Sequence, residues 1–158
     1  SPQILERLAR MPVMMNYRRN SISTFNPTGM HVGPKILLMD EFSASDGDIL
    51  PYRFRASKLG TLVGKRSWGG VVGISGSLPF VDGGILNKPE FGPYDLKDAK
   101  WIMEGHGVDP DVVVDNDPAL EFEGTDEQLN KGIELILKEL EKNPVKKNPV
   151  PPFPDKSK

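Results

Sequence analysis

The chain has 158 residues, the length of about one domain, and a chain of this size can bury a single hydrophobic core. Its 20 basic and 22 acidic residues leave no positive excess, and no apolar run reaches the ~18 residues that cross a bilayer, so neither a nucleic acid nor a membrane partner is predicted. The absence of cysteine excludes disulfides, thiolate metal sites and cysteine nucleophiles, and the only histidines are His31 and His106.

The first third of the chain is predicted to open with a short helix. Ile4, Leu5 and Leu8 recur at helical spacing, and Pro12 follows the last basic residue of this segment. Residues 16–34 lack a clean period and are predicted to be an irregular excursion with at most a short strand.

A strand, a helix and a second strand are predicted next. KILLMD (35–40) is a continuous apolar run typical of a strand that is buried on both faces and central in its sheet. A helix follows that carries Pro51 in its first turn or at a kink and ends at Gly60, before the strand TLVGKR (61–66). Its apolar side is formed by Ile49, Leu50, Phe54 and Leu59. Because a parallel crossover unit has this length, the sheet is predicted to be parallel or mixed.

Seven glycines lie between Gly64 and Gly84 among β-branched residues. Such density suggests that the backbone approaches a ligand closely, although the spacing does not match the glycine-rich motifs that bind nucleotide phosphates.

Two further strands are predicted at 100–104 and 111–115, joined by the tight connection GHGVDP. A helix should then start at a capping box formed by Thr125 and Gln128. Its apolar face is predicted to comprise Leu129, Ile133, Ile136, Leu137 and Leu140. Five of the fifteen prolines fall in the last fifteen residues, so the tail from Lys142 should be extended or disordered.

The turn after the strand at 35–40 contains the best candidate for chemistry. In α/β sheets ligands bind at the carboxyl ends of strands, where a serine on a sharp turn can lie beside the N–H groups of a helix start. The simpler interpretation makes Ser43 and Ser45 helix caps, with Asp46 and Asp48 as partners of the helix dipole. On physical grounds alone the two interpretations are equally supported.

Three segments in this order, DEFSASDGD, LGTLVGKRSWGGVVGI and WIMEGHGVDPDVVVDNDPA, resemble the tricorn proteases within the wider family of C-terminal-processing, or tail-specific, serine proteases. The resemblance extends from about Pro2 to about Leu140. It implies an α/β fold of the crotonase or ClpP type, a mixed sheet with flanking helices. Residues 1–141 would form the C-terminal part of the catalytic domain, and residues 142–158 a Pro/Lys-rich extended or disordered tail.

The resemblance also implies roles for individual residues. Ser45 would be the nucleophile, the backbone N–H of Asp46 an oxyanion donor, and Glu104 the glutamate that supports the catalytic histidine through another serine. The residues that would line an extended peptide are Gly69, Gly70, Val71 and Val72. No metal or cofactor is implied, and the substrates would be peptides or unfolded proteins.

The family's histidine, its oxyanion glycines and its PDZ domain lie far upstream of the nucleophile, and neither His31 nor His106 matches that histidine. The chain is therefore predicted to be the C-terminal piece of a longer enzyme, inactive without the upstream half of its parent as a partner. A homo-oligomer is compatible with the sequence. The resemblance suggests the cytoplasm, and the periplasm stays open because the sequence assigns no compartment.

Two other functions stay open. One is a self-contained hydrolase that pairs Ser45 with His106 and an acid such as Asp109 or Asp111. The other is a non-catalytic peptide-binding or scaffolding module, in which the glycine-rich strands pair with an extended chain.

Overall fold

The computed structural model describes residues 2–146 and 148–157. Ser1, at the start of the predicted domain, and Lys147 and Lys158, in the predicted tail, lie outside the described residues. The described part forms four helices and seven strands, in the order α1 (Pro2–Ala9), β1 (Met14–Asn16), β2 (Thr24–Asn26), β3 (Ile36–Met39), α2 (Asp46–Ala56), β4 (Thr61–Gly64), β5 (Gly73–Gly76), β6 (Asn87–Phe91), β7 (Val112–Val113), α3 (Pro118–Phe122) and α4 (Glu127–Lys142). No helix in these ranges is long and apolar enough to cross a membrane.

The predicted mixed α/β architecture with flanking helices is confirmed, but its strands form three small sheets. A parallel sheet has the order β3-β4-β7, and two antiparallel hairpins consist of β1 with β2 and of β5 with β6. The first hairpin occupies the excursion predicted at 16–34 and begins two residues before it. The short first helix is confirmed as α1, which contacts α2.

The parallel unit formed by β3, α2 and β4 is confirmed, but the predicted central position of β3 is wrong. In the described residues β3 is an edge strand, with Leu38 40% exposed, whereas β4 lies between β3 and β7. Leu62 and Val63 of β4 are fully buried, because this strand has neighbours on both sides.

Helix α2 ends before Gly60, which corrects the prediction that this glycine terminates it. Ser57 is the C-cap residue, and Lys58 has a left-handed backbone with φ 54°. Gly60 is needed for packing instead, because a Cβ there would lie 1.8 Å from the carbonyl oxygen of Lys35. Pro51 lies inside the helix and is buried.

The strand predicted at 100–104 does not form. Trp101 makes only an isolated bridge with Tyr94, and Met103 has φ 70°. The carbonyl oxygen of Met103 accepts the N–H groups of His106 and Gly107, so local turn bonds replace a strand ladder. The strand predicted at 111–115 is confirmed over the two residues of β7.

Helix α4 is confirmed, but its cap and its packed face differ from the prediction. Asp126 rather than Thr125 is the N-cap, because its carboxylate accepts the N–H of Leu129 at 2.9 Å. The helix lies against β3 through buried Gly132, whose missing side chain leaves room for Leu38. Much of the predicted inward face is therefore exposed, by 47% at Leu129, 47% at Ile133 and 56% at Leu137.

The core lies between α1, α2, the parallel sheet and the segment that follows the glycine-rich stretch. Its buried apolar members are Leu5, Met39, Phe54, Leu62, Val71, Met103 and Val108. Val71 is itself a predicted site residue, and Met103 is the neighbour of Glu104, so the core holds both predicted site segments. From residue 144 the described tail has neither helix nor strand.

Candidate active site

Ser45 lies on the turn that joins β3 to α2 and is exposed. Its backbone has φ 55° and ψ −110°, a conformation that residues with a Cβ rarely adopt. Such strain is common at functional turns that present a side chain. Asp46 is the first residue of α2, so its N–H belongs to the helix turn that attracts negative charge.

The hydrogen bonds of the turn show that Ser43 and Ser45, both possible helix caps by sequence, have different roles. Ser43 has a structural role, because its hydroxyl donates to Asp40 Oδ1 at 2.9 Å and accepts the backbone N–H of Asp40 at 3.2 Å. Ser45 is the N-cap residue of α2 and forms a capping box with Asp48. Its N–H donates to Asp48 Oδ2 at 3.0 Å, and the N–H of Asp48 faces the Ser45 side chain and donates to the Ser45 carbonyl oxygen at 2.9 Å.

The four residues predicted to line a peptide donate their backbone N–H groups to two carboxylates of the same chain. Gly69 and Gly70 donate to Asp48, at 2.8 and 3.2 Å. Val71 and Val72 donate to Glu104 Oε2, at 2.7 and 2.9 Å. This segment precedes β5 and is not itself a strand, so its contact with a peptide stays a prediction.

Glu104 lies on the exposed turn that replaces the predicted strand at 100–104. Buried Met103 anchors this turn in the core, and the N–H of Gly105 donates to the carbonyl oxygen of Gly69 at 2.8 Å. Only Oε2 of Glu104 is used by the described residues. The other oxygen, Oε1, accepts no hydrogen bond from them.

Neither histidine hydrogen-bonds Ser45 within the described ranges. His31 Nε2 lies 3.3 Å from the carbonyl oxygen of Pro34. His106 Nε2 lies 3.0 Å from Asp109 Oδ2, and Arg66 Nε lies 2.6 Å from Asp109 Oδ1. Hydrogen bonds from His106 and then Arg66 lower the pKa of Asp109.

Asp111, the other acid proposed to accompany His106, has a structural role. Its Oδ2 accepts the N–H of Leu62 at 2.8 Å, and its Oδ1 pairs with Arg55 at 2.8 Å. It therefore joins β4, α2 and the start of β7, and it makes no bond to His106.

A groove of about 580 Å³ lies beside Glu104. Among its lining residues are Val72, Phe91, Trp101 and Glu104. Neither Phe91 nor Trp101 is predicted from the sequence as a site residue. Phe91 lies in β6, which carries Pro89 and lacks a strand-like apolar pattern, and Trp101 lies in the strand predicted at 100–104. Asp48 is expected from the sequence only as a partner of the helix dipole, although the Ser-x-x-Asp spacing from Ser45 is a signal of a carboxylate that bonds back to the turn.

Comparison with known proteins identifies the class. The model of peptidase family S41 matches residues 8–114, and the chain belongs to this family.

Within this class the chain is similar to tricorn proteases, which confirms the resemblance seen in its residues. It is 42% identical over 127 residues to the tricorn protease of Thermoplasma volcanium, covering 80% of this chain and 12% of that protein. It is 39% identical over 149 residues to tricorn protease homolog 1 of Streptomyces coelicolor, and the match covers 94% of this chain and 14% of that protein. A crystal structure of the tricorn protease matches with a TM-score of 0.82 at 35% identity, covering 89% of this chain and 14% of that one. The chain thus spans a small part of the length of these relatives.

Proposed function

We propose that this chain carries the nucleophile of a serine endopeptidase, with Ser45 forming the acyl-enzyme. The observation that supports this most directly is the exposed Ser45 on a left-handed turn at the start of α2, in a chain that belongs to a peptidase family. A strained turn of this kind can present a serine side chain at the protein surface.

In the proposed reaction a general base takes the Ser45 hydroxyl proton as Oγ attacks the carbonyl carbon of the scissile peptide bond. The oxyanion accepts the backbone N–H of Asp46 and a second donor supplied outside this chain. Collapse of the tetrahedral intermediate breaks the C–N bond, and the protonated base gives its proton to the leaving amine. Water then hydrolyses the ester on Ser45 and restores the hydroxyl.

Glu104 acts in this proposal through the base. The N–H groups of Val71 and Val72 hold Oε2, which fixes the plane of the carboxylate and directs Oε1 away from those two donors. A carboxylate held in this way can orient a histidine, directly or through an intervening hydroxyl, and stabilise its charged form. Glu104 is therefore a positioning residue rather than a group that touches the substrate.

The base in this proposal comes from the remainder of a longer protein. Neither described histidine hydrogen-bonds Ser45, because His106 Nε2 contacts Asp109 and His31 Nε2 contacts the carbonyl oxygen of Pro34. The partner is accordingly the upstream half of the parent chain, and the substrates are peptides or unfolded proteins. A homo-oligomer is part of the same proposal.

The test is peptide hydrolysis by the full-length protein with Ser45→Ala, and with Ser43→Ala as the matched control. Ser45→Ala should lose about 10⁶ in kcat, as expected for loss of a nucleophile, whereas Ser43→Ala should keep most of the activity. Hydrolysis by Ser45→Ala at the unaltered rate would exclude Ser45 as the nucleophile.

A second candidate is favoured by the bond between His106 and Asp109. This pair resembles the base and acid of a triad. Fluorophosphonate labelling of Ser45 that disappears in His106→Ala but persists in His31→Ala would support this self-contained hydrolase. Labelling that is indifferent to His106→Ala would exclude it.

A further inference from the structure

Asp48 is a buried carboxylate that the proposed reaction does not use. Its side chain is fully buried. A carboxylate in such a place is unfavourable unless hydrogen bonds compensate for the lost water. Three backbone N–H groups do so: Oδ1 accepts from Gly69 at 2.8 Å, and Oδ2 accepts from Ser45 at 3.0 Å and from Gly70 at 3.2 Å.

These bonds join the two loops that carry the proposed site. Ser45 lies before α2, whereas Gly69 and Gly70 lie beyond β4, 21 and 22 residues from Asp48. The carbonyl oxygen of Gly69 accepts the N–H of Gly105, the residue next to Glu104. A continuous path of hydrogen bonds therefore runs from Ser45 through Asp48 and Gly69 to the Glu104 turn.

We propose that Asp48 is a positioning residue that holds Ser45 in its reactive backbone conformation and sets its position relative to Glu104. The inference rests on the proposed function of Ser45 as nucleophile. The left-handed backbone of Ser45 needs support from its surroundings, and the bond from Asp48 falls on the N–H of that same residue.

The proposed role of Asp48 requires a carboxylate, because two acceptor oxygens are needed. Asp48 offers two oxygens to donors that come from two directions. Asparagine has one acceptor oxygen, and its amide group would face a backbone N–H in either orientation. Asp48→Asn should therefore lose either the bond from Gly69 or the bonds from Ser45 and Gly70, while keeping the size of the side chain.

The experiment measures kcat and KM for peptide hydrolysis by the full-length protein. Asp126→Asn is the matched control, because Asp126 also accepts a backbone N–H at a helix start but belongs to α4. Asp48→Asn should lower kcat by about 10²-fold, the scale of a misplacement near 1 Å, with KM little changed. Asp126→Asn should leave both constants unchanged. Unchanged kcat in Asp48→Asn, or raised KM with unchanged kcat, would overturn the inference.

Two further measurements keep the inference open to refutation if Asp48→Asn folds poorly. Asp48→Glu retains both acceptor oxygens and should recover part of the lost kcat; no recovery relative to Asp48→Asn would count against the bridge. In the unaltered chain, amide hydrogen exchange at Ser45, Gly69 and Gly70 should be as slow as in β4. Exchange at the rate of an open loop would exclude the bridge without any substitution.

The Ser45→Ala variant separates this inference from the proposed function. Full activity in Ser45→Ala would refute the proposed nucleophile. An inactive Ser45→Ala protein together with a fully active Asp48→Asn protein would refute only the role of Asp48.

Discussion

Glu104 shows at the scale of one residue how a carboxylate can be fixed by backbone groups. Glu104→Gln keeps an oxygen that can accept the N–H groups of Val71 and Val72, so the turn should retain its structure. The charge that is proposed to stabilise a protonated base is lost. In the full-length protein kcat should therefore fall while KM stays near its unaltered value, as steady-state kinetics would show. Raised KM with unchanged kcat would place Glu104 in substrate binding instead.

Gly69 is required by contacts within its own chain. It has φ 87°, and a Cβ would lie 2.5 Å from the backbone nitrogen of Gly107. Gly83 has nearly the same backbone, φ 83°, but open space around a Cβ. Urea unfolding should show that Gly69→Ala lowers the free energy of unfolding by about 1–3 kcal/mol more than Gly83→Ala does, because only Gly69→Ala adds a backbone clash. Equal losses would mean that the backbone conformation alone selects glycine at position 69.

The position of Ser45 could be predicted from sequence, whereas the bonds of Asp48 to Gly69 and Gly70 could not. Ser45 follows an apolar strand and precedes a helix, and such a turn has a local pattern of residues. Asp48 accepts hydrogen bonds from Gly69 and Gly70, which lie 21 and 22 positions further along the chain. A local sequence pattern does not predict contacts over such separations.

At the scale of elements, α2 is tied to the segment between β6 and the Glu104 turn by a side-chain hydrogen bond. The hydroxyl of Tyr52 donates to Asp95 Oδ2 at 2.6 Å. This bond, followed by those from the N–H groups of Asp98 and Lys97, lowers the pKa of Asp95 to about 2. The ionised form of Asp95 is therefore favoured in the folded chain.

The lowered pKa of Asp95 makes the stability of the folded chain depend on pH. Because the folded pKa lies below the ordinary value of 3.8, the stabilisation is present above about pH 4 and is lost as the pH falls towards about 2. Tyr52→Phe removes the largest cause, so urea unfolding of this variant should lose less stability over that interval. Tyr94→Phe is the control, since Tyr94 is exposed and its ring contact with Trp101 survives the substitution. An identical acid dependence in Tyr52→Phe and the unaltered chain would contradict this account.

Helices and strands could be predicted where a local sequence pattern determines them. They could not be predicted where contacts between elements determine them. The unit of β3, α2 and β4 follows from apolar runs of strand and helix length. The exposed stripe of α4 could not be foreseen, because it depends on the contact of Gly132 with Leu38 and Ile36 of β3. Residues 100–104 carry strand-forming side chains, but the left-handed Met103 starts a turn.

At the scale of the whole molecule, this chain should fold by itself yet lack activity if the base lies in an upstream part of a longer protein, as proposed. It has a buried core and a capped terminal helix. Without a base, Ser45 should hydrolyse peptides at no more than the background rate. The purified chain should be inactive alone and gain Ser45-dependent activity when mixed with the upstream half. Hydrolysis by the chain alone that is lost in His106→Ala would favour the self-contained enzyme.

The exposed apolar side chains of α4 are expected to affect the self-association of the isolated chain. Leu129, Ile133 and Leu137 form a stripe of partly exposed leucine and isoleucine along one side of the helix. Apolar patches of more than a few hundred Å² tend to associate, so self-association of the isolated chain is expected to accompany its inactivity.

Mapping the fluorophosphonate adduct in the full-length protein by mass spectrometry tests the central claim most directly. The claim is that Ser45 is the nucleophile, because its exposed hydroxyl lies on the left-handed turn at the start of α2. The account predicts an adduct on Ser45, no adduct in Ser45→Ala, and undiminished labelling in Ser43→Ala. An adduct on another residue, or labelling that persists in Ser45→Ala, would contradict it.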